Sequence, residues 1–236
     1  MWEGEQSRGS TGNSAMMDTL KARVFVALGK PDGRLGIWLM GHRQYVGGNW
    51  DALGNLQFEF MLKMGLKPGH ILLDAGCGAL RAGVKFIEYL DAGNYLGLDS
   101  EKRLIELGIK KELGRDLMRR KSPEFVVSEI FEFEKFSKRP DFAIAQSLFT
   151  HLTESDIRLC LEKLRRFMNP GGRFYATWFI ADESHVNQSA RSHSHRSFRY
   201  PRATVEDFGV KAGWRQRYIG DWGHPRRQMM IEYIAE

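Results

Sequence analysis

Residues 72–83, LLDAGCGALRAG, constrain the fold of this chain more than any other stretch. An apolar run passes into glycines and then into a helical pattern. In a strand, glycine loop and helix unit, the glycines let the backbone approach a ligand, and the helix N-terminus offers free N–H groups to an anionic group. The stretch therefore predicts an α/β domain with a ligand at this turn.

Short apolar runs alternate with longer amphipathic ones over most of the chain. This alternation indicates a Rossmann-like, doubly wound, mostly parallel sheet with helices on both faces. A capping-box pattern, Thr153 with Asp156, starts one helix. The predicted strands are 70–75, 94–99, 124–128, 141–146, 172–180, 214–221 and 228–234, and the predicted helices are 51–65, 79–91, 101–114, 154–168 and 204–212.

The length and composition fit one domain. The chain has 236 residues, 42% of them hydrophobic, which is enough for one well-buried core. We expect a flexible tail over residues 1–20, which are polar and rich in glycine and serine, and a single domain over 21–236. The polar, His- and Arg-rich residues 181–203 predict a long loop that acts as a lid. No run approaches the roughly 20 apolar residues of a membrane span, so we expect no membrane partner.

Charge and cysteine content exclude few functions. The net charge of +6 suits acidic substrates, nucleic acid or anionic lipid without choosing among them. The two cysteines, Cys77 and Cys160, are too few for a disulfide framework or a thiolate zinc cluster, and a cytoplasmic location is expected. His185, His193 and His195 lack the spacing of a defined metal site, so no metal is predicted.

The glycine loop by itself leaves several ligand classes open. A phosphate-binding P-loop needs a Lys followed by Ser or Thr, which are missing here. Gly76 and Gly78 match a dinucleotide fingerprint, but its third glycine position holds Arg81. Asp74 ends the first strand, and Asp99 ends the second, where a carboxylate can accept both hydroxyls of a ribose. The alternative for Asp99 is a simple helix cap.

Three segments together resemble a known superfamily. LLDAGCGALRAG, YLGLDS and DFAIAQSLFTHL are similar to the first, second and fourth motifs of class I S-adenosylmethionine-dependent methyltransferases. The upstream YVGGNWDALGNLQFEF and the late GDWGHPRRQMM resemble a bacterial subset that methylates sugars and other small molecules. The resemblance covers residues 42–234. It implies a seven-stranded sheet whose last strand lies antiparallel beside the fifth, with S-adenosylmethionine as cofactor and S-adenosylhomocysteine as product. Leu80 stands where the family often has a further glycine.

The resemblance also assigns site residues. Glu129 would face the adenine amine with Ile130 along the ring, and a register slip would exchange Ser128 for Glu129. Arg81 either binds the methionine carboxylate or pairs on the helix surface. The implied cofactor residues are Asp74, Gly76, Cys77, Gly78, Arg81, Asp99, Ser100, Glu129, Ile130, Gln146 and Ser147. The acceptor candidates are Tyr45, Trp50, Trp178 and His224, and Gln57 is a further residue that would close over donor and acceptor.

Methyl transfer to a hydroxyl benefits from a base near the transferred methyl. His151, just beyond the fourth strand, is the catalytic candidate, and its alternative is packing against the next helix. His224 is a second candidate, or an ordinary residue of the final hairpin turn. Four loop arginines either recognise an anionic or polyhydroxylated acceptor or form a solvated surface: Arg191, Arg196, Arg199 and Arg202.

The predicted function is methyl transfer from S-adenosylmethionine to a small-molecule acceptor, at a hydroxyl of a sugar or other secondary metabolite. The alternatives are a nucleic-acid methyltransferase, a non-catalytic cofactor-binding subunit and, third, a nicotinamide oxidoreductase. The fourth strand ends in AQSLF and lacks the Asn/Asp-Pro-Pro-aromatic turn of amino-group base methyltransferases, which argues against a nucleic-acid partner. The sequence leaves a homo-oligomer open.

Overall fold

The computed structural model describes residues 31–193 and 195–236, so the tail predicted over 1–20 lies outside the described residues. The described part of the chain forms one sheet of eight strands. These are β1 (Leu72–Ala75), β2 (Tyr95–Asp99), β3 (Glu124–Val127), β4 (Phe142–Ala145), β5 (Arg173–Ile180), β6 (Arg199–Tyr200), β7 (Trp214–Asp221) and β8 (Gln228–Ala235).

The strand order confirms the predicted Rossmann-like architecture. The strands follow the order β3-β2-β1-β4-β5-β8-β7, with parallel pairing from β3 to β5. β8 runs antiparallel between β5 and β7, as the family resemblance implies. The predicted count of seven strands is one short, because β6 pairs with the end of β5 and forms inside the stretch that was predicted as a loop.

Eight helices of the described residues flank the sheet or precede it. They are α1 (Gly33–Met40), α2 (His42–Tyr45), α3 (Trp50–Lys63), α4 (Gly83–Tyr89), α5 (Lys102–Leu107), α6 (Gly114–Lys121), α7 (Glu154–Phe167) and α8 (Arg202–Lys211). Five of them lie close to predicted positions, whereas α1, α2 and α6 were not predicted. A π-helical segment, Gly108–Leu113, joins α5 to α6. The Thr153 hydroxyl accepts the Asp156 N–H and caps α7, which confirms the predicted helix start. The Thr153 N–H donates to the Ser192 hydroxyl and not to Asp156, so the reciprocal bond of a capping box is replaced.

One helix boundary differs from the predicted one. The helix expected from residue 79 begins only at Gly83, because Leu80 has a φ of +66°, which no α-helix accommodates. The helix predicted over 101–114 ends as expected, because the π-helical segment stops at Leu113 and Gly114 has a φ of +79°. A further helix, α6, follows directly to Lys121 and was not predicted.

Buried side chains pack on both faces of the sheet. One cluster joins the strands to α7 and α8 through residues such as Leu161 and Phe208. The other joins them to α3 and α4 through residues such as Met61 and Phe86. This two-sided packing fixes the strands, so their carboxyl ends form a rigid edge. None of the described helices has the length and apolar character to cross a membrane.

Candidate functional site

A cavity of about 1090 Å³ lies at the carboxyl edge of the parallel strands. In open α/β sheets this edge is where ligands bind. Two segments on the outer side of the cavity, residues 31–48 and residues 190–193 with 195–197, also contribute to its lining, and we call them the roof. We call residues 74–82, 98–101 and 128–131 the donor half, because the resemblance implies that a methyl donor would bind there.

Asp99 holds the glycine loop in place. Its carboxylate accepts the backbone N–H of Gly78 and of Glu101, each at 2.8 Å. Glu101, not Asp99, caps α5, because its side chain accepts the N–H of Arg103. Burial raises the pKa of Asp99, and the backbone hydrogen bonds oppose this rise. Asp99 is therefore a rigidly oriented carboxylate whose remaining lone pairs can accept further hydroxyl groups.

Asp74 lies beneath the same loop and is almost fully buried. The Tyr95 hydroxyl donates to its carboxylate at 2.8 Å. Burial raises the pKa of Asp74 to about 6, and the nearby Asp99 adds to the rise. Cys77, also in the loop, is a buried free thiol whose pKa burial raises far above the ordinary value, so it has little nucleophilic character.

Arg81 is a half-buried cation that hydrogen-bonds no carboxylate. Its Nη1 donates to the carbonyls of Val46 and Gly48 at 3.1 and 3.3 Å, and its Nη2 donates to the Gln146 side chain at 2.5 Å. Its Nε is buried without a partner. Burial lowers the pKa of Arg81 to about 10, and the charge of Arg226 adds to this. Pairing on the helix surface, one of the two expectations for Arg81, is therefore wrong.

The turn after β3 brings Ser128 and Glu129 to the cavity wall. The Ser128 hydroxyl accepts the N–H groups of Ile130 and Glu132, so it shapes the turn. Glu129 is exposed toward the cavity. The expected place of Ile130 along a ligand is wrong, because its side chain is 54% exposed and does not line the cavity.

Gln146 and Ser147 end β4 within a polar network. Ser147 has a left-handed backbone, with a φ of +61°, and its N–H donates to the Thr177 hydroxyl at 2.7 Å. The Ser147 hydroxyl also contacts the buried Gln228. A non-glycine residue held in this conformation is a strained position of the kind found at functional sites.

His151 lies in a short 3₁₀ turn, Phe149–His151, and lines the cavity. Its Nδ1 donates to the Arg196 carbonyl at 2.9 Å. Burial lowers its pKa, and hydrogen bonding to the backbone of Arg196 and His193 opposes this. The ring is therefore neutral near pH 7, with Nε2 as its basic nitrogen.

His224 lines the cavity from the turn between β7 and β8. Its Nδ1 accepts the N–H of Arg226 at 3.2 Å, and its Nε2 lies 3.1 Å from the Gln146 side-chain nitrogen. Burial, together with the charges of Arg81 and Arg226, lowers its pKa to about 4. A base this weak accepts a proton poorly near pH 7.

Of the four acceptor candidates, Tyr45 and His224 line the cavity and the two tryptophans do not. Trp178 is fully buried in the core, where its Nε1 donates to the Tyr200 carbonyl at 3.2 Å. Trp50 packs beneath the Arg43 guanidinium, 4.9 Å from the ring centre. The prediction that these two tryptophans contact the acceptor is wrong, because their rings pack against other parts of the protein. Gln57 is buried and lines the cavity.

The roof is held by side chains of its two segments. Asp32 lies 2.8 Å from His193 Nε2 and 3.5 Å from His195 Nε2. The Tyr45 ring meets His195 edge-on at 5.0 Å. The roof is also joined to the turn after β4, because the His193 N–H donates to the His151 carbonyl at 3.0 Å. Among the described residues, no three His, Cys, Asp or Glu side chains are grouped to hold a metal ion.

Most of the loop arginines point away from the cavity. Arg199 lies over the Phe179 ring at 5.0 Å, and Arg202 over the Tyr218 ring at 4.0 Å. Only Arg191 of the four predicted candidates lines the cavity. Arg226 also lines the cavity but was not predicted from the sequence. It lies two positions after His224 in GDWGHPRRQMM, and this proximity to a candidate residue could have identified it. Asp32 was not predicted either, and the sequence carries no signal for it.

Comparison with protein families supports this geometry. Residues 73–174 match the model of a methyltransferase domain family. The chain is therefore similar to methyltransferase domains over 102 of its 236 residues. The match spans the glycine loop, Asp99, the turn after β3 and the β4 end, which are the elements that build the donor half and its neighbours.

Solved structures share the fold at low sequence identity. Magnesium protoporphyrin IX methyltransferase from Synechocystis, with bound S-adenosylhomocysteine, has a TM-score of 0.58 and 13% identity over 95% of each chain. Human N-acetylserotonin methyltransferase has a TM-score of 0.59 and 12% identity over 95% of this chain and 67% of its own. A glycopeptide N-methyltransferase has a TM-score of 0.59 and 16% identity over 91% of this chain and 97% of its own. The chain therefore shares the Rossmann-like fold of these structures.

Proposed function

We propose that the protein transfers a methyl group from S-adenosylmethionine to a small-molecule acceptor. The observation that carries the proposal is Arg81, a half-buried guanidinium with a buried, unpartnered Nε beside the glycine loop. A buried donor without an acceptor costs about 1–3 kcal/mol, which a ligand carboxylate offsets. The amino-acid end of S-adenosylmethionine carries such a carboxylate.

The rest of the donor half suits the adenosine portion. Asp99 offers oriented carboxylate oxygens for the ribose hydroxyls, and Glu129 offers an acceptor for the adenine amine. The backbone of Gly76 and Gly78, both at positive φ, allows close approach of the ligand. Cys77, Ser100 and Ser147 line the same space. When bound, the sulfonium supplies an electrophilic methyl group.

His151 is the residue that accepts the proton of a hydroxyl acceptor in this proposal. Its Nδ1 is engaged by the Arg196 carbonyl, which leaves Nε2 as the basic nitrogen. The lowered pKa keeps the ring neutral and ready to accept a proton at neutral pH. The protein's part is to align the acceptor and hold the proton, and alignment is worth roughly 7–11 kcal/mol in such displacements.

The size and lining of the cavity support a small acceptor. Its volume is about 1090 Å³, and Tyr45, His195 and Gln57 line it together with the donor half. The solved structures with this fold include methyltransferases named for magnesium protoporphyrin IX, N-acetylserotonin and a glycopeptide. A hydroxyl of a sugar or other secondary metabolite fits the polar lining.

Calorimetric titration with S-adenosylmethionine, S-adenosylhomocysteine and NAD tests the donor. We expect micromolar binding of the two sulfur ligands, about −8 kcal/mol, and none of NAD. Adenosine, which lacks the amino-acid portion, isolates the part played by Arg81. Arg81→Gln should weaken S-adenosylhomocysteine binding about tenfold and leave adenosine binding unchanged. Binding of NAD alone would refute the proposal.

Mass-spectrometric detection of methylated product tests the acceptor class. The enzyme is incubated with S-adenosylmethionine and either a set of hydroxylated metabolites or RNA. We expect a mass increase of one methyl group in a small molecule. Methylated RNA with unmodified metabolites would favour the nucleic-acid alternative, and donor binding without any transfer would favour a non-catalytic subunit.

A further inference from the structure

Arg226 is a second guanidinium at the cavity, and it comes from the turn between β7 and β8. Its Nη2 donates to the Gly47 carbonyl at 2.6 Å. Gly47 has a φ of +97°, and a Cβ there would lie 3.2 Å from Arg226 Nη1, so glycine lets the guanidinium lie against the loop. The side chain is therefore held at the cavity wall.

Two arginines share the loop between α2 and α3. Arg81 binds the carbonyls of Val46 and Gly48, and Arg226 binds the carbonyl of Gly47 between them. These contacts are made to neutral backbone groups. A guanidinium carries five N–H groups, and the Gly47 bond uses one of those on Arg226, so donors remain for a ligand.

The charge of Arg226 acts on the acceptor side of the cavity. It lowers the pKa of His224 and also that of His151, the proposed base. Among the described residues, no carboxylate forms an ion pair with Arg226, and most of the cavity carboxylates are engaged elsewhere. Glu101 accepts the Arg103 N–H, and Glu129 is exposed at the turn after β3. Asp32 pairs with His193 and His195, Asp156 binds the Ser192 and Thr153 hydroxyls, Asp74 binds Tyr95, and Asp99 binds backbone N–H groups.

We infer that Arg226 binds an anionic group of the acceptor, so that the methylated small molecule carries a carboxylate or a phosphate. Arg81 serves the donor carboxylate, and Arg226 faces the same space as His151. An acceptor held by its anionic group at Arg226 presents a hydroxyl to that histidine. The inference deepens the proposed function and rests on it. The planar guanidinium suits both anions, because each offers two oxygens to its paired N–H groups.

The first test measures anion binding by calorimetry with inorganic phosphate and malonate as probes. The protein is saturated with S-adenosylhomocysteine so that Arg81 is occupied, and Arg226→Gln is compared with wild type. Arg227→Gln is the matched control, because Arg227 is adjacent, is exposed like Arg226 and does not line the cavity. We expect Arg226→Gln to weaken binding of at least one probe about tenfold or more, and the control to match wild type.

The same comparison without S-adenosylhomocysteine separates the two proposals. If S-adenosylhomocysteine fails to bind, the proposed function is wrong, while the difference between wild type and Arg226→Gln still reports on the anion site. If it binds and the variants take up both probes equally, the anion site is refuted and the methyltransferase proposal stands. Stronger binding of phosphate than malonate, or the reverse, identifies which anionic group the site prefers.

A second test uses matched acceptors. Hydroxy acids and hydroxyalkyl phosphates are compared with their neutral amides and alcohols in the transfer assay. Arg226→Gln should lower kcat/KM for the charged acceptors about tenfold or more and leave the neutral ones unchanged, with kcat affected less than KM. Arg226→Lys should recover part of the loss. Equal losses for charged and neutral acceptors would overturn the inference.

Discussion

The donor half and the roof of the cavity are built differently. The donor half lies at strand ends whose register the sheet fixes, and buried carboxylates tie it to the backbone, as Asp99 does with Gly78 and Glu101. The roof consists of loops and short helices joined by partly exposed side chains, such as the Asp32 and His193 pair. Exposed ion pairs contribute only about 0–1 kcal/mol. The donor half is therefore tied to the sheet by carboxylate hydrogen bonds, whereas the ion pairs that join the two roof segments contribute little.

This difference predicts which variants change which measurement. Substitutions in the donor half should change affinity for S-adenosylhomocysteine. Substitutions at His151, which lies beneath the roof, should change turnover and leave that affinity intact. The distinction would be wrong if a donor-half variant changed only turnover, or if a His151 variant changed only the affinity for S-adenosylhomocysteine.

The largest expected effect is that of His151→Ala. Loss of the base should slow turnover roughly 10²–10⁴-fold, because the hydroxyl proton has no positioned acceptor. The Kd of S-adenosylhomocysteine should stay near the wild-type value. Steady-state kinetics and calorimetry check both numbers. His185→Ala is the control, since His185 is exposed and lies outside the cavity. Equal turnover of both variants would remove His151 from the base role.

The next effect concerns the pH dependence of stability. Because burial raises the pKa of Asp74 to about 6 in the folded protein, the folded state binds more protons than the unfolded state between about pH 4 and 6. Its contribution to stability is present in full below pH 4 and is lost as the pH rises through 6. A shift of this size corresponds to about 3 kcal/mol.

Asp74→Asn should remove this dependence, because the amide does not ionise and its oxygen can still accept the Tyr95 hydroxyl. Denaturant unfolding at pH 4 and pH 7 gives the free energies to compare. The variant should gain stability relative to wild type at pH 7 and little at pH 4. Asp91→Asn, at an exposed position, should follow the wild-type curve. Parallel curves for wild type and Asp74→Asn would show that Asp74 titrates normally.

A smaller effect is expected from Asp99→Ala. The substitution removes the acceptor for Gly78 and Glu101 and for the ribose hydroxyls of the proposed donor. We expect the Kd of S-adenosylhomocysteine to rise about 10–100-fold, since hydrogen bonds to charged groups contribute about 1.5–3 kcal/mol. Asp116→Ala is the control, because Asp116 is an exposed partner of Arg119 and Arg120 on α6. An unchanged Kd would exclude Asp99 from the donor site.

The sequence predicted the donor half well because local patterns determine it. A strand followed by glycines and a helix brings Asp74, Gly78 and Arg81 to one edge, and parallel pairing adds Asp99 from the next strand. The sequence did not show the hydrogen-bond partner of each side chain. It also did not show the backbone conformation of Leu80, whose φ of +66° is one that glycine adopts more readily, and this conformation delays the start of α4.

The roof was predicted less well because distant segments build it. Asp32 meets His193 across more than 150 positions of sequence, and nothing local marks that contact. Aromatic residues misled for a related reason. A Trp packs equally well in a core or a binding site, and Trp178 is in the core because its Nε1 finds a buried carbonyl there. Ile130 was misplaced because Ser128 folds the turn so that Ile130 points outward.

The smallest expected effect tests the register at that turn. Glu129 is exposed, so its hydrogen bond to the adenine amine contributes little, and Glu129→Ala should raise the Kd of adenosine about threefold. Inosine, which lacks the amine, should bind the variant and wild type equally. Glu134→Ala is the control, because Glu134 is also exposed and does not line the cavity. If Ser128→Ala instead of Glu129→Ala abolishes the preference for adenosine over inosine, the adenine contact belongs to Ser128. The donor half would then depend on the turn's backbone geometry, which Ser128 sets, rather than on a carboxylate.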